Sequence, residues 1–450
     1  MNFQKKINIV LFLSLSFFLV LLFFVFYKSE IQYKGLSREN FFLYYIVFIA
    51  FNLIIFCSIV FKKYRSLFLL IFISIFISLY ILELIISNRI FEKIRLKSLD
   101  ANFDTRSLKE IILQDWSNDI ESSFTITPGI YYDDDYDVFG LSGGISNVLT
   151  YEDIESGEYS KYTSDRYGFR NDDNLWDQKV DIILIGDSFV QGFAVQEGEN
   201  ISETFNENSN YLMINLGIGG SGAISELARL REYIGEIDAD YVFWVYQESN
   251  DLASIDDEVK SKTLMKYLKN YDFTQDLINK QNLINKQSKE YLVNLFNSRG
   301  YNLKKFLKLN SLRDLIVLTT KYSSWLYDIR NDDPLLNKKR INVLEEVLLA
   351  AKHEAEKNNM KFIFVYGHVS HRYSISNHQD INFRLKDDVI ELAKKLKFTI
   401  IDLDSELMSK EENPYQYYPF NQDGHPNAKG YKLVSDFLIK KFDELKINKN

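Results

Sequence analysis

Three stretches near the N-terminus are apolar without a break. Residues 9–27, 41–61 and 67–86 run for 19, 21 and 20 positions, interrupted by no charge except Glu83 and by one strongly polar amide, Asn52. A helix needs about 20 apolar residues to cross the hydrocarbon core of a bilayer, so each stretch predicts a span. The first is long for a secretion signal and no small-residue cleavage site follows it, which favours an uncleaved anchor. Beyond residue 178 the pattern changes to short apolar runs separated by helical periodicity. Asp181–Ile185, Tyr211–Leu216, Tyr241–Tyr246, Lys361–Tyr366 and Phe398–Leu403 are rich in β-branched and aromatic residues and apolar nearly throughout. Runs of that kind predict strands buried on both faces, hence a parallel sheet with helices on each side. Helical patterns fall between them, as at Ala223–Ile234 and Ile341–Lys357, and a last helix begins near Ala428.

The organisation expected from this is a membrane anchor over residues 1–97, a connector over 98–177 with little periodicity, and an α/β domain over 178–450. A polar, mostly helical insertion at about 252–340 reads equally as a lid over the sheet's carboxyl edge or as a peripheral elaboration. It contains a short tandem repeat, LINKQN then LINKQS, which reads as local helix duplication. The acidic run Asp133–Asp137 in the connector reads as a solvated loop.

Charge sharpens the division. Residues 1–97 carry 12 Lys/Arg against 4 Asp/Glu, whereas the remaining 353 carry 41 against 58. An acidic domain is a poor partner for nucleic acid, which demands cationic surface; the partner of the basic part is the lipid bilayer. Lys5, Lys6, Lys62, Lys63 and Arg65 favour a cytoplasmic N-terminus and a multi-pass protein with its large domain outside, although Lys28, Lys34 and Arg38 and the cations after residue 88 pull the other way. The one cysteine, Cys57, lies in an apolar run and excludes both an internal disulfide and a cysteine-based zinc site.

Ligands of an open parallel sheet bind beyond the carboxyl ends of its strands, so the residues that follow each strand carry the chemistry. They are Gly186-Asp187-Ser188-Phe189, Asn215 through Gly220, Glu248-Ser249-Asn250-Asp251 and, before the last helix, Asp423-Gly424-His425-Pro426. A serine hydroxyl becomes a useful nucleophile when a base takes its proton, and a histidine base needs a carboxylate to hold its tautomer. Ser188, His425 and Asp423 supply the three types. The backbone N–H groups of Ser188 and Gly220 and the Asn250 amide offer donors for a tetrahedral oxyanion. Each motif alone has a plain structural reading as a turn or cap; their joint order favours catalysis.

These four blocks resemble those of the SGNH/GDSL hydrolase superfamily over about residues 178–445. The resemblance implies a flavodoxin-like three-layer α/β/α fold, Ser188 as nucleophile, Gly220 and Asn250 as oxyanion donors, and Asp423 with His425 as the acid–base pair. It implies ester hydrolysis or acyl transfer, commonly on acylated carbohydrates, with no metal or organic cofactor. The chain departs from the pattern twice. Glu248 stands where the third block usually has glycine, and the aspartate stands two positions rather than three before its histidine, with Gln422 at the alternative position. Glu248, Asp251 and His368 are candidate substrate contacts. If the protein is a transferase, a membrane partner is expected to deliver the acyl group.

Two rival readings remain at this stage. One is a glycan-binding or assembly module that keeps the fold without the chemistry. The other is a dinucleotide site, since Gly217–Gly222 matches G-x-G-x-x-G after a strand and Glu248 ends the next strand; it leaves Ser188 and His425 without a task.

Overall fold

The computed structural model describes residues 3–32, 38–127, 143–298, 303–321, 334–373, 383 and 385–447, which leaves the acidic run Asp133–Asp137 and His378 outside the described residues. The chain forms two compact units, residues 1–98 with 299–330, and residues 99–298 with 331–450.

Among the described residues, the first unit contains three helices long and apolar enough to cross a membrane, within Ile7–Gln32, Phe41–Val60 and Lys62–Ser87. Phe18, Phe51 and Phe72 interlock at their centre, while Phe12, Val20, Phe23, Leu70 and Ile77 face outward and exposed. The helices Leu303–Leu307 and Asn310–Lys321 come from far along the chain and pack on this bundle. Leu309 and Leu312 bury themselves with Leu43, and Tyr44 and Tyr80 donate to the carbonyls of Lys308 and Leu307. Glu83, fully buried, accepts the N–H groups of Ser311 and Leu312 at 3.0 and 2.8 Å. The opening turn of a helix leaves its N–H groups without intrahelical partners, so this carboxylate acts as a cap.

The second unit is built on five parallel strands: β4 (Ile182–Ile185), β5 (Met213–Asn215), β6 (Tyr241–Tyr246), β7 (Lys361–Tyr366) and β8 (Thr399–Asp402). Their spatial order is β5-β4-β6-β7-β8, and three further strands, β1 (Ser122–Phe124), β2 (Leu149–Tyr151) and β3 (Lys161–Thr163), form a separate sheet. Alternate residues of each long strand serve opposite helical layers, as a period of two requires. Ile183, Ile185, Val242, Trp244 and Phe364 meet the helices Ala223–Tyr233, Pro334–Lys357 and Lys386–Lys395. Ile182, Leu184, Phe243, Val245 and Val365 meet the helices Ile201–Asn208 and Ala428–Ile447. The result is the three-layer α/β/α arrangement with strand order 2-1-3-4-5.

The described parts of the insertion divide among three places. Leu252, Ile255, Leu264 and Tyr267, from the helices Asp251–Glu258 and Lys262–Lys269, belong to the main core. Leu292 and Phe296 of the helix Gln281–Ser298 pack on residues around β1 and β2, and residues 299–330 go to the first unit. The described part of the connector is likewise structured. Buried Arg170 donates to Glu152 Oε2, to the Gly192 carbonyl at 2.7 Å and to the Gln196 carbonyl at 2.6 Å. Asn171 exchanges hydrogen bonds with the backbone of Asn215 and donates to Asp165.

Candidate active site

β4 lies between β5 and β6, so the chain turns to opposite sides of it, and the crevice beyond its carboxyl end is where such sheets bind ligands. Ser188 opens the short helix Ser188–Gln191 at that place. Asp187 caps this turn, with Oδ1 accepting the Phe189 N–H at 2.9 Å, and Oδ2 accepting the Asn250 amide at 2.8 Å. One carboxylate thereby fixes the loops after β4 and β6 together. Burial pushes the Asp187 carboxyl above the usual carboxylate range, against the hydrogen bond from Asn250. Glu226 and Asp251, both fully buried, are pushed up by their own burial and by mutual repulsion with it.

His425 comes to Ser188 from the far end of the chain. Its Nε2 lies 2.7 Å from Ser188 Oγ, and its ring, 26 % exposed, packs against Phe193. Nδ1 lies 2.9 Å from Glu155 Oε1, while the His425 backbone N–H donates to Glu155 Oε2 at 2.7 Å. A carboxylate only accepts, so Nδ1 carries hydrogen and Nε2 is left to take the serine proton. Burial alone would lower the imidazole pKa; the hydrogen bond and charge of Glu155, with the charges of Asp153 and Asp187, outweigh it and raise the ring to about 9. The Glu155 carboxyl is held below its ordinary value, because the bond to His425 more than offsets the effect of burial.

The carboxylate on Nδ1 is therefore Glu155, and Asp423 does not occupy the position expected of it. Asp423 accepts from the Tyr415 hydroxyl at 3.0 Å and lies 3.7 Å from His371 Nε2, partly in solvent. At Gly424 a Cβ would come within 2.5 Å of Glu155 Oε2. The glycine between the two expected residues makes room for a carboxylate from elsewhere. Sequence reasoning missed Glu155 because it lies 270 positions from His425 in a stretch without periodicity. The shortened Asp-to-His spacing was the one sign that the usual geometry had changed.

The other anticipated residues are placed unequally. Gly220 sits on an exposed turn at φ +74°, a conformation that suits glycine, with Thr127 against it. Asn250 is held at the site by Asp187. The three candidate substrate contacts are all inside the protein. Glu248 is gripped by Arg372 and Tyr366, Asp251 accepts the Gln247 N–H, and His368 bonds Tyr418 and stands edge-on to Phe189. Burial lowers the His368 ring to about 4, which keeps it neutral. Glu248 is thus unavailable to a ribose, and the N-terminus of the helix Ala223–Tyr233 is already filled by Glu258, which accepts from Ile224 and Ser225. Both features remove the basis of the dinucleotide reading.

Asp153, Glu155 and His425 offer ligand atoms within 4.8 Å of one another, a set that could hold a metal ion. An ion there would take the Nδ1 lone pair that now carries the hydrogen bonded to Glu155.

No family model matches the chain, and no curated protein matches it. Among solved structures it is similar to a putative lipolytic protein of the G-D-S-L family from Desulfitobacterium hafniense, at 12% identity and a TM-score of 0.33, over 58% of this chain and 99% of that one. It is similar also to a putative acylhydrolase from Bacteroides fragilis, at 14% and 0.32, over 60% and 91%. A third is a psychrotrophic esterase from Pseudoalteromonas sp. inhibited by monoethylphosphonate, at 10% and 0.29, over 59% and 98%.

Proposed function

We propose that this chain is a membrane-anchored serine esterase or O-acyltransferase of the SGNH type. It acts on ester-linked acyl groups, acetyl foremost, of a cell-surface glycan, with its second unit outside the cytoplasm. The observation that carries the reading is the relay from Ser188 Oγ through His425 to Glu155, at 2.7 and 2.9 Å. In this mechanism neutral His425 takes the Ser188 proton at Nε2 as Oγ attacks the ester carbonyl. Glu155 supports the imidazolium. The N–H groups of Ser188 and Gly220 and the Asn250 amide stabilise the oxyanion. His425 then gives the proton to the departing alkoxide, leaving an acyl-serine. Water, or a sugar hydroxyl in a transferase, repeats the sequence in reverse. The three apolar helices support a site of action near the membrane, and the dense Lys62–Arg65 loop supports the sidedness.

The test is covalent labelling of the full chain in detergent with a fluorophosphonate, together with turnover of an aryl acetate. Wild type is expected to label at Ser188, located by peptide mass spectrometry. Ser188→Ala and His425→Ala should each lower turnover by about 10³-fold or more. A folded wild-type protein that neither labels nor releases acetate would establish a non-catalytic module instead. Mass spectrometry of surface glycans with and without the protein then separates hydrolase from transferase by loss or gain of acyl mass.

A further inference from the structure

Resting on that reading, we propose that Asp153 is a second positioning carboxylate for His425, able to take over the orientation and charge support of the ring when Glu155 is absent. Asp153 Oδ2 lies 3.8 Å from His425 Nδ1, on the nitrogen that Glu155 already holds. This oxygen is buried and has no hydrogen-bond partner among the described residues. Its companion Oδ1 is fixed by the Ala194 N–H at 2.9 Å and the Ser160 hydroxyl at 3.0 Å. A buried carboxylate oxygen left without a donor costs free energy unless a cation faces it; here the ring that becomes an imidazolium during the reaction does.

The backbone around Asp153 is built to hold this arrangement. Ala194, which supplies the fixing N–H, sits at φ +68° although it is not glycine, a conformation that costs energy and persists only where its surroundings impose it. The segment that carries Asp153 is closed on itself, with the Glu152 N–H bonded to the Ser160 carbonyl and the Ser160 N–H to the Asp153 carbonyl. Asp153 therefore stands on a fixed backbone, whereas Glu155 reaches the ring from a side chain 36 % exposed. Loss of Glu155 leaves Nδ1–H with Asp153 as the facing acceptor, and a shift of about 0.8 Å at Nδ1 takes the 3.8 Å separation to the usual hydrogen-bond distance of about 3.0 Å.

A double-mutant cycle on the full chain, read by kcat/KM for an aryl acetate and its dependence on pH, tests this. Glu155→Gln is expected to lose no more than about 30-fold and Asp153→Asn about threefold, while the double variant loses about 10³-fold, as does a histidine without its acid. The charged groups acting on the ring are Glu155, Asp153, Asp187 and Glu152. The activity midpoint of Glu155→Gln should stay above the ordinary imidazole value of about 6.5 and fall to it only in the double variant. Asp153→Asn keeps an acceptor for the Ala194 N–H, which guards the fold. Should the double variant not fold, the midpoint of Glu155→Gln alone decides. A midpoint already at or below the ordinary value overturns the proposal, as does a double variant no worse than Glu155→Gln. Ser188→Ala separates the two levels: full turnover in that variant removes the serine reading itself, whereas its inactivity with an additive cycle removes only the role of Asp153.

Discussion

The five-stranded sheet and the short strands in front of it reach order by opposite means. The long strands are apolar on both faces, and their side chains divide between two helical layers. β1, β2 and β3 have three residues each. Their surroundings are held by buried polar contacts, with Arg170 joining Glu152 to the Gly192 and Gln196 carbonyls and Asn171 joining Asp165 to Asn215. Apolar burial is non-directional and tolerates small shifts, whereas hydrogen bonds fix position. The sheet thus sets where the serine turn lies, and the polar region sets where the acid lies, to within the tolerance of a hydrogen bond.

The largest effect expected from this contrast comes from one substitution in each region. Arg170→Met strands buried Glu152 and should cost about 3–5 kcal/mol of stability. Phe243→Ala opens the core and should cost a similar 3–5 kcal/mol. Below the melting temperature of both, measured by circular dichroism, only Arg170→Met should depress kcat, since it alone releases the segment that carries Glu155. An equal loss of kcat in both would erase the distinction.

A smaller effect appears in the pH profile. The acids raise His425 to about 9, and the reaction needs the neutral ring, so kcat/KM should climb about tenfold per unit from pH 7 and level off near pH 9. The sign for stability is opposite. A raised imidazole pKa contributes stability that is complete below the ordinary value of about 6.5 and disappears as pH rises through about 9. Activity and thermal stability should therefore move in opposite directions across that window, in paired assays and melts. The smallest effect belongs to Asp423→Ala, which should change kcat by less than about threefold because that side chain serves Tyr415 and His371; a loss of the size expected for a missing triad acid would return Asp423 to the relay.

The sheet was legible because β-branched and aromatic runs announce themselves locally. The predicted strands at Tyr241–Tyr246 and Lys361–Tyr366 match the observed limits, and the others differ by one or two residues at their ends. Ser188 and His425 were legible because each lies in a short motif at a predictable edge. Glu155 was not, because nothing within its own neighbourhood encodes an encounter with residue 425. The buried fates of Glu248 and His368 were hidden for the same reason, since Arg372, Tyr366 and Tyr418 approach them only in the folded chain. Glu83, an unexplained acid in an apolar run, acquired its purpose once Ser311 and Leu312 arrived from more than two hundred positions away.

That capped return has a practical side for anyone wishing to handle the α/β unit in water. Removing the anchor by a single cut after Leu99 would leave Leu309 and Leu312 stripped of Leu43 and their helix deprived of Glu83, a greasy hook inviting aggregation. The excision has to be made twice, once at the front and once to replace residues 299–330 with a polar linker.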